Sequence, residues 1–580
     1  MTKAEQRYKS WVTHPRLDEA TRQELLAIKS QTGEIEERFY QELQFGTAGL
    51  RGILGAGSNR MNDYTVARAA AGFAEYICRQ GEAMKNRGVA ISFDSRHRST
   101  EFAQLSAHIL ASRGVRVLLS DELRPVPFLS FAVRHFHCAG GIMITASHNP
   151  REYNGFKVYG EDGGQLNPEA AAAVAEIMDS IEDPISLLQD AKDAKLKAPI
   201  EAMGENLDSA YEEMVLGLSL CEDAVRRHSD LKIIYTPLHG AGNKPVRRTL
   251  SAVGFKQVMV VPEQEKPDGD FPTAPYPNPE FREALQMGIE LAEKEKADLL
   301  IATDPDADRT GVAVRSASGD FVVLSGNEIG CLLMDFVLSA KKAEGGIPEN
   351  AFCVTSVVSS RLPLAICEHY GVKVYQVLTG FKFIAEKIRE YEEEGDGHFL
   401  FAYEESFGYL AGHDVRDKDA VVSSMLIAEM AADSADRGET LYERLQHLFS
   451  RYGYAAEHTL SFVREGISGQ ERIASVMAEI RSQMQDYFPE LEIRRILDFS
   501  IPAAYDLASG EKTAIPYTNS NVLVFELDGL DWFACRPSGT EPKLKVYLGA
   551  YRDSKEKAEE ALEKLKAAAA KPIEAALNRE

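Results

Sequence analysis

The chain has 580 residues, of which 44% are hydrophobic and 27% charged, and a formal net charge of −24 at pH 7. That length exceeds what one hydrophobic core supports, so roughly three to five folding units are expected. The acid excess repels a polyanion at long range and excludes nucleic acid as a partner, but a small anionic substrate can still be held where basic residues concentrate.

The N-terminus, MTKAEQRYKSWV, lacks the apolar stretch of a signal peptide. No apolar run approaches the roughly 18 residues that span a bilayer, so the expected location is the cytoplasm, with no membrane association. Residues 16–44 read as a charged helical stretch, and 1–44 as an N-terminal helical extension packing on the first domain. From 45 to 206 the pattern is α/β: apolar runs VAISFD (89–94), VRVLLS (115–120) and GIMITA (141–146), with a helix at 101–113. From 207 to 324 it returns as LKIIYT (231–236), VMVVP (258–262) and DLLIAT (298–303), with a helix at 280–296. From 325 to 454 it returns again as AFCVTSVVS (351–359), VKVYQV (372–377) and HFLFAY (398–403).

In each domain the first strand opens into a polar loop, and a later one into a more distinctive loop: TASHNP, TDPDADR and YEESFG. Three passes through one pattern point to internal structural repeats. Doubly wound sheets collect ligands at the carboxyl ends of their strands, where these loops stand. Residues 455–580 differ, with shorter strands (HTLSFV, NVLVFEL, WFACR, KLKVYLGAY), a helix at 469–486 and a last helix at 553–577, and read as an α+β domain. The seven cysteines form no CxxC pair and read as reduced packing residues.

Asp304, Asp306 and Asp308 recur at every second position, which in extended backbone places three hard oxygen ligands on one side and fits Mg²⁺. A helix–loop–helix calcium site is excluded, because Arg309 and Arg315 stand where Gly and Glu are required. An aspartyl-phosphate phosphatase pattern DxDx[TV] is weakened by Asp308 at its last position, and the plain reading is a solvated acidic turn. Arg309 beside the carboxylates suits a phosphate. In CRPSGTEPK, Arg536 offers a bidentate donor, and Ser538, Gly539 and Thr540 offer hydroxyls and backbone amides to a phosphate dianion, against the plain reading of a Pro-Ser-Gly turn. Glu404 and Ser406 could grip sugar hydroxyls, against the plain reading of a solvated turn, which the residues alone favour. Ser147 follows an apolar run and precedes His148, but adjacent side chains rarely face each other and there is no GxSxG elbow. Nucleophile, cation site and charge clamps together make a phosphoryl-transfer kit, with no Walker loop to demand a nucleotide donor.

TASHNP with NGFKVY, DPDADR, TGFKF, EESFG and RPSGTEPK stand in the order of the α-D-phosphohexomutase superfamily, which the chain resembles over nearly its whole length. FGTAGLRG, GAGSNRMN, DSRHRS and EDGGQL resemble its branch of bacterial phosphoglucomutases and animal phosphopentomutases, although Tyr403 replaces a Gly common before EES. The resemblance implies three related α/β domains with mixed or parallel sheets plus a C-terminal α+β domain around a central cleft. It implies a phosphorylated Ser147, Mg²⁺ on Asp304, Asp306 and Asp308 with the phosphoserine oxygen as a further ligand, and a sugar loop at Glu404 and Ser406. It also implies a phosphate loop at Arg536, Ser538, Gly539 and Thr540. Arg51, His148 and Lys157 match positions near the reacting phosphoryl group, with the base open between Lys157 and His148, and Arg309 and Lys382 match substrate contacts. The implied activity is interconversion of glucose 1-phosphate and glucose 6-phosphate by way of glucose 1,6-bisphosphate, with a phosphopentomutase or phosphomannomutase as the alternative. The implied partners are small sugar phosphates, and the implied state a monomer or homodimer.

Overall fold

The computed structural model describes residues 1–46, 49–464, 466–516, 520–538 and 542–579. It divides into two compact units, residues 1–329 with 381–441, and residues 330–380 with 442–580.

The first unit opens with three short helices, Lys3–Thr13, Glu19–Ala27 and Thr32–Phe39, instead of one helical stretch over 16–44. Local capping explains the difference. Thr2 and Glu5 close a reciprocal capping box on the first helix, and the Asp18 side chain accepts from Thr21 N to start the second. Trp11 and Phe39 are buried in the same core as Tyr64 and Phe73, with the Trp11 ring edge-on to Phe39 at 5.7 Å and to Tyr64 at 5.4 Å.

The first sheet runs in the order Leu50–Ile53, Tyr153–Tyr159, Gly140–Ile144, Val89–Phe93, Val117–Ser120, Ile200–Met203. The last four strands are parallel, and the first two are antiparallel to their neighbours. The near-continuous burial of Val89–Phe93 and Gly140–Ile144 is what a parallel sheet covered on both faces demands. The second sheet runs Phe321–Val323, Thr310–Arg315, Leu299–Thr303, Lys232–Thr236, Gln257–Val260, again with parallel strands and an antiparallel edge. Helix Arg282–Glu295 lays Leu285 and Ile289 on Ile234 and Leu300 of this sheet. The unit also contains the antiparallel pair His398–Glu404 and Gly408–Ala411.

A repeat emerges at the level of backbone. Each distinctive loop closes an antiparallel hairpin: between Gly140–Ile144 and Tyr153–Tyr159, between Leu299–Thr303 and Thr310–Arg315, and between His398–Glu404 and Gly408–Ala411. Both ends of every loop are therefore fixed by a ladder of backbone hydrogen bonds.

In the second unit, strands Ala351–Ser356 and Lys373–Val377 pair in parallel across helix Leu362–Tyr370. The C-terminal sheet has seven strands, each antiparallel to its neighbours, from Tyr454–Val463 at one edge to Lys512–Ala514 at the other. Its core stacks Phe525 on Phe533 at 4.4 Å with Phe488 edge-on. Strand Tyr454–Val463 begins four residues before HTLSFV, because its pairing with Lys543–Arg552 extends over ten positions whose half-exposed side chains leave no apolar signal. Among the described residues no helix is long and apolar enough to cross a membrane, and all seven cysteines are free.

Candidate active site

Ser147 stands just beyond strand Gly140–Ile144 with φ at 53°, a left-handed conformation that costs a non-glycine residue about 1–3 kcal/mol unless its surroundings enforce it. They do. Ser147 N donates to Thr145 Oγ1 at 2.8 Å, and the Arg96 guanidinium donates to the carbonyls of Ser147, Pro150 and Tyr153 at 2.5, 2.9 and 3.1 Å. Arg96 is itself held by Asp94 at 3.4 Å with both side chains buried, and Asp94 also accepts from Thr145 Oγ1 at 2.6 Å and Ser99 Oγ at 2.8 Å. Asp94, Arg96 and Thr145 carry no role in the sequence reading, although Asp94 and Arg96 lie in DSRHRS and Thr145 in TASHNP. Their side chains fix the serine by bonding to backbone, which composition does not reveal.

The Ser147 hydroxyl donates to Asp304 Oδ2 at 2.9 Å across 157 residues of chain. Asp304 begins the loop between strands Leu299–Thr303 and Thr310–Arg315, and its Oδ1 accepts from the amides of Asp308 at 3.1 Å and Arg309 at 3.0 Å. Asp304, Asp306 and Asp308 are buried, and each presents an oxygen within 4.8 Å of the others. The backbone that gathers them is a turn with Ala307 at φ 47°, not the extended run the spacing predicts. Oδ1 of Asp306 and Oδ1 of Asp308 are buried without a hydrogen-bond partner. Two such orphaned carboxylate oxygens facing a third acid cost several kcal/mol unless a cation satisfies them, so the donor set fits a hard divalent ion such as Mg²⁺. Burial and the two neighbouring carboxylates push the Asp304 pKa well above its ordinary value.

Lys157 Nζ lies 2.8 Å from Asp306 Oδ2 and 3.5 Å from Asp308 Oδ2. Burial opposes its charge, but these two aspartates more than offset that and raise its pKa. His148 Nδ1 lies 3.2 Å from Ser147 Oγ, so the two adjacent side chains do face each other, contrary to the usual expectation. Burial, then Arg309 and Arg51, depress the His148 pKa well below that of a free imidazole. Arg51 donates to Asn149 Oδ1 at 3.0 Å on the serine loop. The Arg309 guanidinium bonds Glu280 Oε1 at 2.6 Å, while its backbone amide serves Asp304.

Lys418, in the stretch DVRDKDA, has no part in the sequence reading. Its Nζ lies 2.9 Å from Asp308 Oδ2 and 3.0 Å from Asp417 Oδ1. Its stem passes over Gly408, the glycine of EESFG, where an added Cβ would fall 2.1 Å from Lys418 Cδ. That glycine is thus required by a lysine ten residues on. Glu404 is buried at the end of strand His398–Glu404 and acts electrostatically on Lys418; Ser406 is half-buried in the same hairpin. Thr310 N donates to Phe407 O at 3.0 Å, joining the hairpin of Asp304, Asp306 and Asp308 to the hairpin of Glu404 and Ser406. Lys382 is half-buried, and burial lowers its ammonium pKa to about 8.

In the second unit, Arg536 Nη1 reaches Tyr547 Oη at 3.5 Å, and Ser538 N donates to Lys543 O at 2.7 Å. Gly539 and Thr540 lie outside the described residues.

The fold and this constellation define a class: a multidomain α/β protein that brings a serine hydroxyl to a buried carboxylate triad. Family models for the three α/β/α domains of phosphoglucomutase/phosphomannomutase match residues 42–184, 210–319 and 325–452. The chain is 38% identical over 516 residues to a phosphoglucomutase of Staphylococcus epidermidis, covering 89% of this chain and 92% of that one. It is 36% identical over 530 residues to a phosphoglucomutase of Staphylococcus aureus, with the same coverage. It belongs to the phosphoglucomutase/phosphomannomutase family of the α-D-phosphohexomutase superfamily, and is accordingly a mutase. Two solved structures share the fold. One is a putative phosphomannomutase from Thermus thermophilus, with TM-score 0.64, 23% identity, and coverage of 92% of this chain and 99% of that one. The other is the parafusin phosphoglucomutase of Paramecium, with TM-score 0.66, 16% identity, and coverage of 92% and 95%.

Proposed function

We propose that the chain interconverts α-D-glucose 1-phosphate and glucose 6-phosphate, with Ser147 as the residue that carries the phosphoryl group. The observation that carries this reading is the Ser147 hydroxyl held 2.9 Å from Asp304 in a strained turn braced by Arg96 and Thr145. A hydroxyl fixed in that way, beside carboxylates that are incompletely satisfied, is arranged for phosphoryl transfer.

Asp304, Asp306 and Asp308, with an oxygen of phosphorylated Ser147, are assigned to hold Mg²⁺. The ion, when bound, offsets the negative charge of the phosphoryl oxygens. In the first half-reaction the bond from Ser147 Oγ to phosphorus breaks and one from a sugar hydroxyl to phosphorus forms, giving glucose 1,6-bisphosphate. The hydroxyl proton is relayed to Ser147 Oγ. We assign the relay to His148, whose Nδ1 is 3.2 Å from that oxygen, because the Lys157 ammonium is already engaged by two carboxylates. Lys157 and Lys418 hold Asp306 and Asp308 in place, and Arg51 steadies the serine loop through Asn149. Glu404 and Ser406 are assigned to the sugar hydroxyls. Arg309, Lys382, Arg536 and Ser538 are assigned to the substrate, with Arg536 and Ser538 on a phosphate. After the bisphosphate turns end for end, its other phosphoryl returns to Ser147 by the same chemistry reversed.

Ser147→Ala tests this. Turnover of glucose 1-phosphate, measured by coupled formation of glucose 6-phosphate, is expected to vanish, and intact mass to show no phosphorylated species, while circular dichroism stays that of the parent. Full activity in the variant would refute the phosphoserine route. Comparing kcat/KM for glucose, mannose and ribose 1-phosphates checks the substrate, and a preference for either of the last two would replace glucose.

A further inference from the structure

A second cavity, of about 300 Å³, is lined by none of the residues above. It lies among helices Val126–His135, Glu205–Leu216 and Asn243–Val253. Its apolar walls come from Leu123, Pro125 and Pro245, over Phe128 and Tyr211, which pack edge to face at 5.8 Å and are themselves buried; Arg124 lies over the Phe128 ring at 5.0 Å and is paired with Asp208. The cavity shares Glu212, Lys244 and Arg248 with a wider groove, of about 690 Å³, that continues along helix Asn243–Val253. Four cations line that groove, Lys244, Arg247, Arg248 and Lys256, against the single acid Glu212, in a chain of net charge −24. Lys244 is paired with Glu122 and Arg247 with Glu265. The exposed side chains of Arg248 and Lys256 have no hydrogen-bonding or ionic partner among the described residues.

We propose that cavity and groove form one ligand site for a nucleotide-class anion, its ring in the cavity and its phosphates on Arg248 and Lys256, and that occupancy acts on the metal loop. A purely apolar ligand would leave the two cations idle, and a bare phosphate would leave the cavity empty. A planar ring joined to phosphate uses both.

The walls of the cavity are the supports of the metal loop. Val126 N donates to Asp306 O at 2.9 Å, and Ala241 N to Pro305 O at 2.8 Å. Tyr211 Oη donates to Asp419 at 2.9 Å, and the residue before it, Lys418, holds Asp308 at 2.9 Å. A ligand that shifts helix Val126–His135, the 240–241 turn or Tyr211 therefore displaces ligands of the cation, and by reciprocity the cation alters affinity for the ligand.

The experiment uses ADP as the probe, with titration calorimetry on the intact protein in chelator, so that no metal bridges nucleotide to the aspartates. ADP is expected to bind at least about tenfold more tightly than adenosine or pyrophosphate, and to stay bound in the presence of excess glucose 1-phosphate. The R248E/K256E double variant is expected to weaken ADP at least about tenfold, while KM for glucose 1-phosphate without ADP stays within about twofold of the parent. ADP is expected to shift the free Mg²⁺ concentration for half-maximal turnover, corrected for Mg²⁺ bound by ADP, in the parent and not in the variant. No binding at millimolar ADP, displacement by glucose 1-phosphate, or equal binding by the double variant would overturn the site. Binding that leaves the Mg²⁺ dependence unmoved would overturn the coupling. The binding measurement needs no turnover, so its failure is separate from any failure of the mutase assignment.

Discussion

Asp419 caps helix Ala420–Asp436 from a fully buried position, accepting from Val421 N and Val422 N at 2.9 Å and from Tyr211 Oη at 2.9 Å. Burial raises its pKa from 3.8 to about 6, the cap and tyrosine bonds opposing only in part. A carboxyl whose pKa is raised on folding is protonated in the folded state at a pH where the unfolded chain has ionised. Its stabilising contribution is thus complete below pH 3.8 and lost as pH rises through about 6. At about 1.4 kcal/mol per pKa unit, the ionised carboxylate costs about 3 kcal/mol at neutral pH. Asp419→Asn keeps an acceptor for the cap and for Tyr211 but cannot ionise. Urea unfolding followed by circular dichroism from about pH 4 to about pH 8 is expected to give equal stabilities at the acid end. At the neutral end the variant is expected to be more stable by up to about 3 kcal/mol. A difference that does not change with pH, or a variant that is weaker at neutral pH, would refute the argument.

Two further outcomes follow from close contacts in the same unit. An added Cβ at Gly326 would fall 2.0 Å from Glu405 O, so Gly326→Ala must displace the hairpin that carries Glu404 and Ser406; KM for glucose 1-phosphate is expected to rise several-fold and Mg²⁺ affinity to weaken with it, because Thr310 N is bonded to Phe407 O of the same hairpin, as read by steady-state kinetics. Lys418→Met strips the cation from Asp308 and Asp417. It is expected to cost about 3–5 kcal/mol of stability in chelator, with partial recovery on adding Mg²⁺, as read by urea unfolding with and without the ion.

What the sequence disclosed and what it hid follow from range. The triplet Asp304, Asp306 and Asp308 is legible because its chemistry lies in five consecutive residues, and the apolar runs at 89–94, 141–146 and 298–303 are legible because buried parallel strands need no partner in sequence to be recognised. Lys418 was hidden because its carboxylate stands 110 positions earlier, and a Lys between two aspartates usually belongs to a solvated turn. The facing of Ser147 and His148 is not legible because it is set by the torsions between the two residues and within their side chains, which residue type does not announce. The first helix lies within the helical extension read over 1–44 but outside the charged stretch at 16–44, because its pattern is mostly polar, with only Ala4 and Trp11 buried.

The hydrogen bond from Thr310 N to Phe407 O and the passage of Lys418 over Gly408 tie the hairpin of Asp304, Asp306 and Asp308 to the hairpin of Glu404 and Ser406 through backbone and through a missing Cβ. With the metal and sugar roles proposed above, substrate range is not a detachable trait. Transplanting an EESFG-type loop from a relative with another sugar preference would carry a change in cation binding with it, unless the residue at position 418 is exchanged in the same step. Evolution toward a new sugar from this chain runs through paired substitutions more readily than through single ones.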